Sequence, residues 1–218
     1  MTRIGQLVGN LLVALPLLLS SACGGKGGAP MSETSNVVFF GDSLTEGYSL
    51  GEAEAYPALI EQKILEAGLP FSVVNAGRSG DTTADALPRL PGAMRGQVAL
   101  LFIALGTNDV RKRFEIEAIK ARFSQIIEEA RQISPNTTIV LAGVDAFTGA
   151  PIEYQNAFKS MLSELATSKG IPYLASPLAG VHGVPALNLP DELHPNAAGH
   201  RIIAENVWAF LEPILRSH

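Results

Sequence analysis

Two unbroken apolar runs constrain the fold of this chain more than any other feature of its sequence. Residues 37–40 read VVFF, and residues 98–105 read VALLFIAL. Apolar runs of this kind are typical of strands that are buried on both faces of a parallel sheet. Shorter runs predict three further strands, at 71–74, 138–144 and 173–175. Because the strands alternate with helical segments, the sequence predicts an α/β domain with helices on both faces of a parallel sheet of about five strands.

Four longer segments carry apolar residues at helical spacing and predict amphipathic helices. They lie at 56–67, 115–133, 152–169 and 196–215. Gly68 follows the first of these segments and Gly170 follows the third, which is the usual signal for a helix end. The segment at 176–189 is rich in proline and glycine and is predicted to be a loop.

The first 22 residues have the composition of a secretory signal peptide. Arg3 gives a positive start, residues 11–19 form an apolar run, and small residues follow. The apolar run is too short for a comfortable membrane-spanning helix. We therefore expect residues 1–22 to be removed on export.

Cys23 is the only cysteine of the chain, so no intramolecular disulfide can form. The sequence LSSAC at 19–23 resembles the bacterial lipobox, in which the cysteine is lipidated and becomes the new amino terminus. Ser20 departs from that pattern, which usually has an aliphatic residue there, and the alternative is an incidental cysteine near an ordinary cleavage site. Residues 23–35 are rich in Gly and Ser and predict a flexible tether. We expect a domain at 36–218 that is exported to the periplasm or anchored to a bacterial membrane through Cys23.

The charge of the chain argues against nucleic acid as a partner. The formal net charge is −5, and the only basic cluster is the triplet at 111–113. This triplet is predicted to be a solvated loop or helix start, although its place near the candidate site would also allow contact with an anionic substrate.

Polar segments that could carry chemistry follow the predicted strands. Ser43 ends the turn after the first strand, Gly80 lies in a glycine-rich turn after the second, and Asn108 follows the third. A later loop holds the segment 191–194. Because the carboxyl ends of parallel strands share one edge of a sheet, we expect these loops to meet in one crevice. Ser43 is the candidate nucleophile, and the alternative is that Ser43 only caps the following helix.

Acyl transfer by a serine needs a base, a carboxylate that orients the base, and donors for the developing oxyanion. Asp191 and His194 are three residues apart, so a short turn could bring the carboxylate behind the imidazole. Taken alone, this pair would more often be a helix cap followed by a loop histidine. The other histidines are expected to be solvated or to cap helices: His182, His200 and His218.

Four segments, taken in order, resemble the four sequence blocks of the SGNH (GDSL) esterases and lipases. They are GDSL at 41–44, Gly80 within SGDT, GTND at 106–109 and DELH at 191–194. The resemblance covers about residue 36 to the carboxyl terminus. It is greatest to the periplasmic acyl-thioesterase/lysophospholipase and arylesterase branch, because NAGRSGDT at 75–82 and YQNAF at 154–158 also fit that branch.

The resemblance implies a three-layer α/β/α, flavodoxin-like fold and a serine hydrolase of carboxylic esters or thioesters, without metal or organic cofactor. Ser43 would be the nucleophile, His194 the general base and then acid, and Asp191 its orienting partner. The backbone N–H groups of Ser43 and Gly80 and the side-chain amide of Asn108 would form the oxyanion hole. Aryl esters, short acyl thioesters and lysophospholipids are the implied small-molecule substrates.

Two departures from this branch bear on the site and its substrate. Glu192 stands where the branch often has glycine, which could alter the backbone or add a negative charge beside His194. The loop at 145–151, which is expected to line the acyl pocket, also differs. Two alternative functions remain open: a carbohydrate O-acetylesterase of the same family, and a non-catalytic surface lipoprotein that kept the fold as a binding module.

Overall fold

The structure is a computed structural model that describes residues 34–144 and 149–218, together with Thr2. The predicted signal peptide beyond Thr2, Cys23 and the tether up to residue 33 lie outside the described residues, as do residues 145–148 of the expected pocket loop. Glu33–His218 forms one compact unit. Its first strand begins at Ser35, the last residue of the predicted tether.

Five parallel strands form one sheet, which confirms the predicted architecture. They are β1 (Ser35–Gly41), β2 (Phe71–Gly77), β3 (Val98–Ala104), β4 (Thr138–Ala142) and β5 (Tyr173–Leu174). Their order across the sheet is β2-β1-β3-β4-β5. β2 is longer than predicted, so residues 75–77 of the expected turn belong to the sheet.

Long helices cover both faces of the sheet, and the short helices α1, α3 and α5 follow the carboxyl ends of β1, β2 and β3. The helices are α1 (Ser43–Glu46), α2 (Tyr56–Glu66), α3 (Thr83–Ala86), α4 (Leu90–Ala93), α5 (Thr107–Arg111), α6 (Ile116–Ile133), α7 (Ile152–Lys169) and α8 (Ala197–Leu215). Short 3-10 turns lie at Glu52–Glu54, Leu87–Arg89 and Pro185–Leu187. The four predicted helices are confirmed, and their ends differ from the predicted ones by at most one residue. None of the helices in the described segments is long and apolar enough to cross a membrane.

The unbroken apolar run of β1 reflects burial on both of its faces. Val37 and Phe39 pack in a cluster with α2 and α8, whereas Val38 and Phe40 pack in a second cluster with α6 and α7. All four side chains are fully buried. Successive side chains of a strand point to opposite faces, so an apolar residue is needed at every position.

The carboxyl ends of β2, β1 and β3 lie level with one another. Gly41 pairs with Gly77 of β2 and with Ala104 of β3. β1 lies between these strands, at the point where the chain order of the sheet changes direction, and a crevice opens outside such a point in open α/β sheets. A Cβ atom on Gly41 would lie 2.0 Å from Thr45 Oγ1. Glycine at 41 therefore allows α1 to fold back against the edge of the sheet.

Candidate active site

Ser43 lies at the first position of α1, directly beyond the end of β1. The side chain of the preceding residue, Asp42, caps this helix by accepting a hydrogen bond from the Leu44 N–H at 3.0 Å. The alternative in which Ser43 is the cap is therefore wrong, and its hydroxyl is left to make another contact. The side chain is buried, with 8% of its surface exposed.

Ser43, His194 and Asp191 form a continuous hydrogen-bonded row. The distance from Ser43 Oγ to His194 Nε2 is 2.9 Å, and the distance from His194 Nδ1 to Asp191 Oδ2 is 2.6 Å. With the Nδ1 proton donated to the carboxylate, Nε2 carries the lone pair and can accept the serine proton. This is the arrangement that activates a serine for attack on a carbonyl carbon.

The segment 191–194 folds as a tight turn around the Asp191 carboxylate. Oδ1 of Asp191 accepts the backbone N–H groups of Leu193 and His194, both at 3.0 Å. Burial raises the pKa of Asp191, but the hydrogen bonds from His194 and Leu193 outweigh it and lower the pKa to about 2. The helix-cap alternative for Asp191 is wrong as well, because Asn196 caps α8. Asp191 stays ionised at neutral pH and holds the imidazole from behind.

Glu192 has a left-handed backbone conformation, with φ of 57°. Residues other than glycine rarely adopt this conformation because their Cβ crowds the carbonyl oxygen. Glutamate in place of glycine at position 192 therefore strains the backbone, close to both Asp191 and His194.

Gly80 and Asn108 follow β2 and β3, the two strands that flank β1, on the same edge of the sheet. Asn108 Nδ2 donates one hydrogen bond to the carbonyl oxygen of Asp81 at 3.0 Å, which leaves its second N–H for another acceptor. Gly80 has φ of 84°, and a Cβ atom there would meet no atom within 4 Å. Glycine at 80 is thus favoured by this left-handed backbone.

Two further side chains contact the residues of this site, and neither is among the residues predicted from the sequence. The ring of Tyr48 lies against that of His194, with 4.4 Å between their centroids, and Arg89 binds Asp81 at 2.5 Å. Tyr48 carries no spacing signal. For Arg89 the only signal is that it is a lone cation in the apolar segment LPRLP at 87–91, where a half-buried charge needs a partner.

His200 differs from its prediction, because it is neither solvated nor a cap. Its side chain is 1% exposed, and its Nδ1 accepts the backbone N–H of Tyr56 at 3.1 Å. Burial and the nearby His194 lower the pKa of His200 to about 4. The neutral ring is a packing element between α2 and α8.

Asp42 is a second buried titratable group beneath the site. Burial raises its pKa to about 6, against the lowering effect of the Leu44 N–H and the Thr107 hydroxyl. Among the described residues, Asp42 Oδ2 and Thr107 Oγ1 have no hydrogen bond of good geometry, although the hydroxyl lies close enough to lower the carboxyl's pKa. The nearby carboxylates of Asp109 and Asp81 add to the increase.

The basic triplet forms the exposed end of a helix rather than a helix start. Arg111 is the last residue of α5, one turn beyond Asn108, and Arg113 Nη2 donates to the carbonyl oxygen of Gly149 at 2.6 Å. Within the described residues, no group of three or more His, Cys, Asp or Glu side chains is placed to hold a metal ion.

Comparisons with known proteins found a matching family profile, similar proteins and similar solved structures. The profile of the GDSL-like Lipase/Acylhydrolase family matches residues 39–202. The chain is similar to Esterase TesA of Pseudomonas aeruginosa, with 29% identity over 176 residues that cover 80% of this chain and 87% of the relative. It is also similar to Thioesterase 1/protease 1/lysophospholipase L1 of Escherichia coli, with 28% identity over 180 residues that cover 82% of this chain and 84% of the relative. Among solved structures, the crystal structure of TesA aligns with a TM-score of 0.78 and 28% identity, covering 83% of this chain and 99% of that chain.

Proposed function

The chain belongs to the GDSL-like lipase/acylhydrolase family, and from that premise we propose that it is an exported serine esterase that forms an acyl-enzyme on Ser43. The family and the SGNH hydrolase fold expected from the sequence are confirmed, and the chain is accordingly a hydrolase of ester bonds. The observation that carries the mechanism is the row of hydrogen bonds from Ser43 through His194 to Asp191. By similarity to an esterase and a thioesterase, we propose carboxylic acyl esters and thioesters as its substrates.

In the first half-reaction, His194 Nε2 takes the hydroxyl proton as Ser43 Oγ bonds to the acyl carbon. The carbonyl π electrons move to oxygen, and the oxyanion accepts hydrogen bonds from the backbone N–H groups of Ser43 and Gly80 and from Asn108 Nδ2. Asp191, with its lowered pKa, stabilises the imidazolium that results.

Collapse of this intermediate restores the carbonyl and breaks the bond to the leaving alkoxide or thiolate. The leaving group takes the proton from His194, and the acyl group stays on Ser43. Water then attacks the acyl carbon with His194 as base, and the carboxylic acid leaves as Ser43 Oγ regains a proton.

The nucleophile is tested with Ser43→Ala in the full chain, assayed on p-nitrophenyl esters. We expect this change to abolish turnover without unfolding the protein, because the hydroxyl provides the only bond to the acyl group. Ser217→Ala is the matched control, since among the described residues Ser217 Oγ binds only the carbonyl oxygen of Ile214, near the chain end. Near-wild-type turnover in Ser43→Ala would refute the assignment.

The acyl range is tested with the same esters from acetyl to long chains. Turnover that extends beyond acetate supports the esterase or thioesterase function. Turnover confined to acetate would instead favour the carbohydrate O-acetylesterase, and no Ser43-dependent turnover on any ester would favour the binding module.

Export and anchoring form a separate part of the proposal, because residues 1–22 and Cys23 lie outside the described residues. We expect the mature chain to begin at a lipidated Cys23 and to sediment with membranes. Cys23→Ser should move the protein into the soluble exported fraction. Equal membrane recovery of both proteins would show that Cys23 is not the anchor.

A further inference from the structure

Arg89 ends the 3-10 turn Leu87–Arg89 below the crevice, and no step of the mechanism above uses it. We propose that Arg89 is a positioning residue that fixes the three oxyanion donors in position relative to one another. This inference rests on the proposed function, since it concerns the donors of that reaction. It assigns a role to a side chain that does not touch the substrate.

Every nitrogen of the Arg89 guanidinium has an acceptor. Nε donates to Asp81 Oδ2 at 2.5 Å, Nη1 to the carbonyl oxygen of Ala76 at 2.6 Å, and Nη2 to that of Gly41 at 2.7 Å. The guanidinium also lies over the ring of Phe40, with Cζ 4.4 Å from the centroid. The planar fork of arginine can meet all these partners at once, whereas a lysine ammonium cannot match their directions.

The contact with Gly41 connects Arg89 to the first donor. Gly41 is the last residue of β1 and lies two positions before Ser43. A shift of the Gly41 peptide would move Asp42, the cap of α1, and with it the backbone N–H of Ser43.

The contact with Asp81 connects Arg89 to the other two donors. Asp81 directly follows Gly80, and its carbonyl oxygen accepts the Asn108 side-chain amide at 3.0 Å. The position of Asp81 therefore sets both the orientation of the Gly80 peptide and that of the amide. The side chain that holds Asp81 from below is Arg89.

The ion pair between Arg89 and Asp81 is largely shielded from solvent, which strengthens the contact. The Asp81 side chain is 7% exposed and the Arg89 side chain 20%, so water screens the contact less than a surface pair. The second cation near Asp81, on Arg78, lies 3.7 Å away on a side chain that is 70% exposed. We do not expect Arg78 to replace Arg89.

The test is Arg89→Lys in the full chain, which keeps the charge and removes the fork. Loss of one oxyanion donor typically costs about 10²- to 10³-fold in turnover, so partial misplacement should lower kcat by about 10- to 100-fold. KM should stay within about threefold, because the donors act on the transition state rather than on bound substrate. Added methylguanidinium should restore part of the kcat of Arg89→Ala, because it can occupy the vacated guanidinium position and bind the same acceptors.

Arg131→Lys is the matched control. Arg131 also donates from Nη2 to a backbone carbonyl oxygen, that of Lys169 at 2.8 Å, but it lies at the end of α6, away from the site. We expect unchanged kcat in this variant. If Arg89→Lys does not fold, Asp81→Asn provides a second variant, because it weakens the contact while it keeps the carbonyl oxygen that holds Asn108.

Backbone hydrogen exchange separates the failure of this inference from the failure of the proposed function. Peptides that contain Gly80 and Asp81 should exchange faster in Arg89→Lys than in the wild type or in Arg131→Lys, whether or not any ester is turned over. Unchanged exchange would overturn the inference. Normal kcat in Arg89→Lys on an ester that the wild type hydrolyses through Ser43 would overturn it too, whereas a wild type without such turnover would refute the proposed function.

Discussion

At the scale of single residues, Glu192 has an unfavourable backbone conformation between Asp191 and the two residues whose N–H groups Asp191 binds. Its φ is 57°. Glu192 follows Asp191 and precedes Leu193 and His194, whose N–H groups the Asp191 carboxylate binds. A left-handed conformation costs a residue other than glycine about 1–2 kcal/mol. The hydrogen bonds of the turn offset that cost.

Glu192→Gly should therefore stabilise the protein. Glycine adopts this φ without strain but loses more entropy on folding, so we expect a net gain of about 0.5–1 kcal/mol in the free energy of unfolding. Urea unfolding measures this gain in the free energy of unfolding. Glu192→Ala, which removes the charge and keeps the Cβ atom, should change stability much less, and an equal gain in both variants would assign the cost to the charge.

The residues that no sequence pattern predicts share one property: each has a partner in another element of the fold. Arg89 meets Gly41 and Ala76 through the ends of two strands, and His200 meets the N–H of Tyr56 across 144 positions. No local spacing encodes such contacts. Asp191 and His194 were predictable because three residues separate them, which a single turn can bridge.

At the scale of elements, the start of α8 links the core to the site. Asn196 Oδ1 accepts the N–H groups of Ala198 and Gly199, and its Nδ2 donates to the carbonyl oxygen of Ala186 at 2.9 Å. The helix thus begins three residues after His194, and its cap, Asn196, also holds the preceding loop.

Asn196→Ala should lower the free energy of unfolding by about 1 kcal/mol, the usual cost of a lost cap. Asn196→Asp keeps the capping oxygen and loses the donor to Ala186. It should therefore retain most of the stability, and thermal unfolding of the two variants separates the roles. Equal losses would show that the loop contact, and not the cap, carries the effect.

Helices and strands were the most predictable part of this chain. Gly170, with φ of 63°, ends α7 at the predicted position, because both the apolar pattern and the stop signal lie within the segment itself. The predicted β2 is too short, because Asn75 is polar and the apolar run ends at Val74. The Asn75 amide instead binds the carbonyl oxygen of Thr45 at 3.1 Å, a contact that only the folded sheet provides.

At the scale of the whole molecule, two buried groups give opposite pH dependence of stability. The pKa of His200 falls from 6.5 to about 4 on folding, so its contribution is complete above pH 6.5 and is lost as the pH falls towards 4. The pKa of Asp42 rises from 3.8 to about 6, so its contribution is complete below pH 3.8 and is lost as the pH rises towards 6. Each effect amounts to roughly 3 kcal/mol, and between about pH 4 and 6 they largely cancel.

Replacing either His200 or Asp42 by an uncharged asparagine should separate the two opposing effects on stability. As the pH rises from 4 to 6.5, His200→Asn should lose stability relative to the wild type, and Asp42→Asn should gain it, each by roughly 3 kcal/mol. Denaturant unfolding across this range measures both differences. A difference from the wild type that is independent of pH in either variant would contradict the burial argument for that group.

The parallel sheet also has two different edges: the carboxyl edge, which holds Ser43, and the amino edge, here called the back edge, where the strands begin. β1 begins at Ser35 on the edge opposite Ser43, and His218 Nε2 lies 3.1 Å from Thr138 Oγ1, at the beginning of β4 on that same back edge. A strand of seven residues separates the two edges by roughly 20 Å. A fusion partner or a solid support joined through residue 35 or through His218 would therefore sit behind the crevice and leave it accessible, which makes either position suitable for immobilising the enzyme.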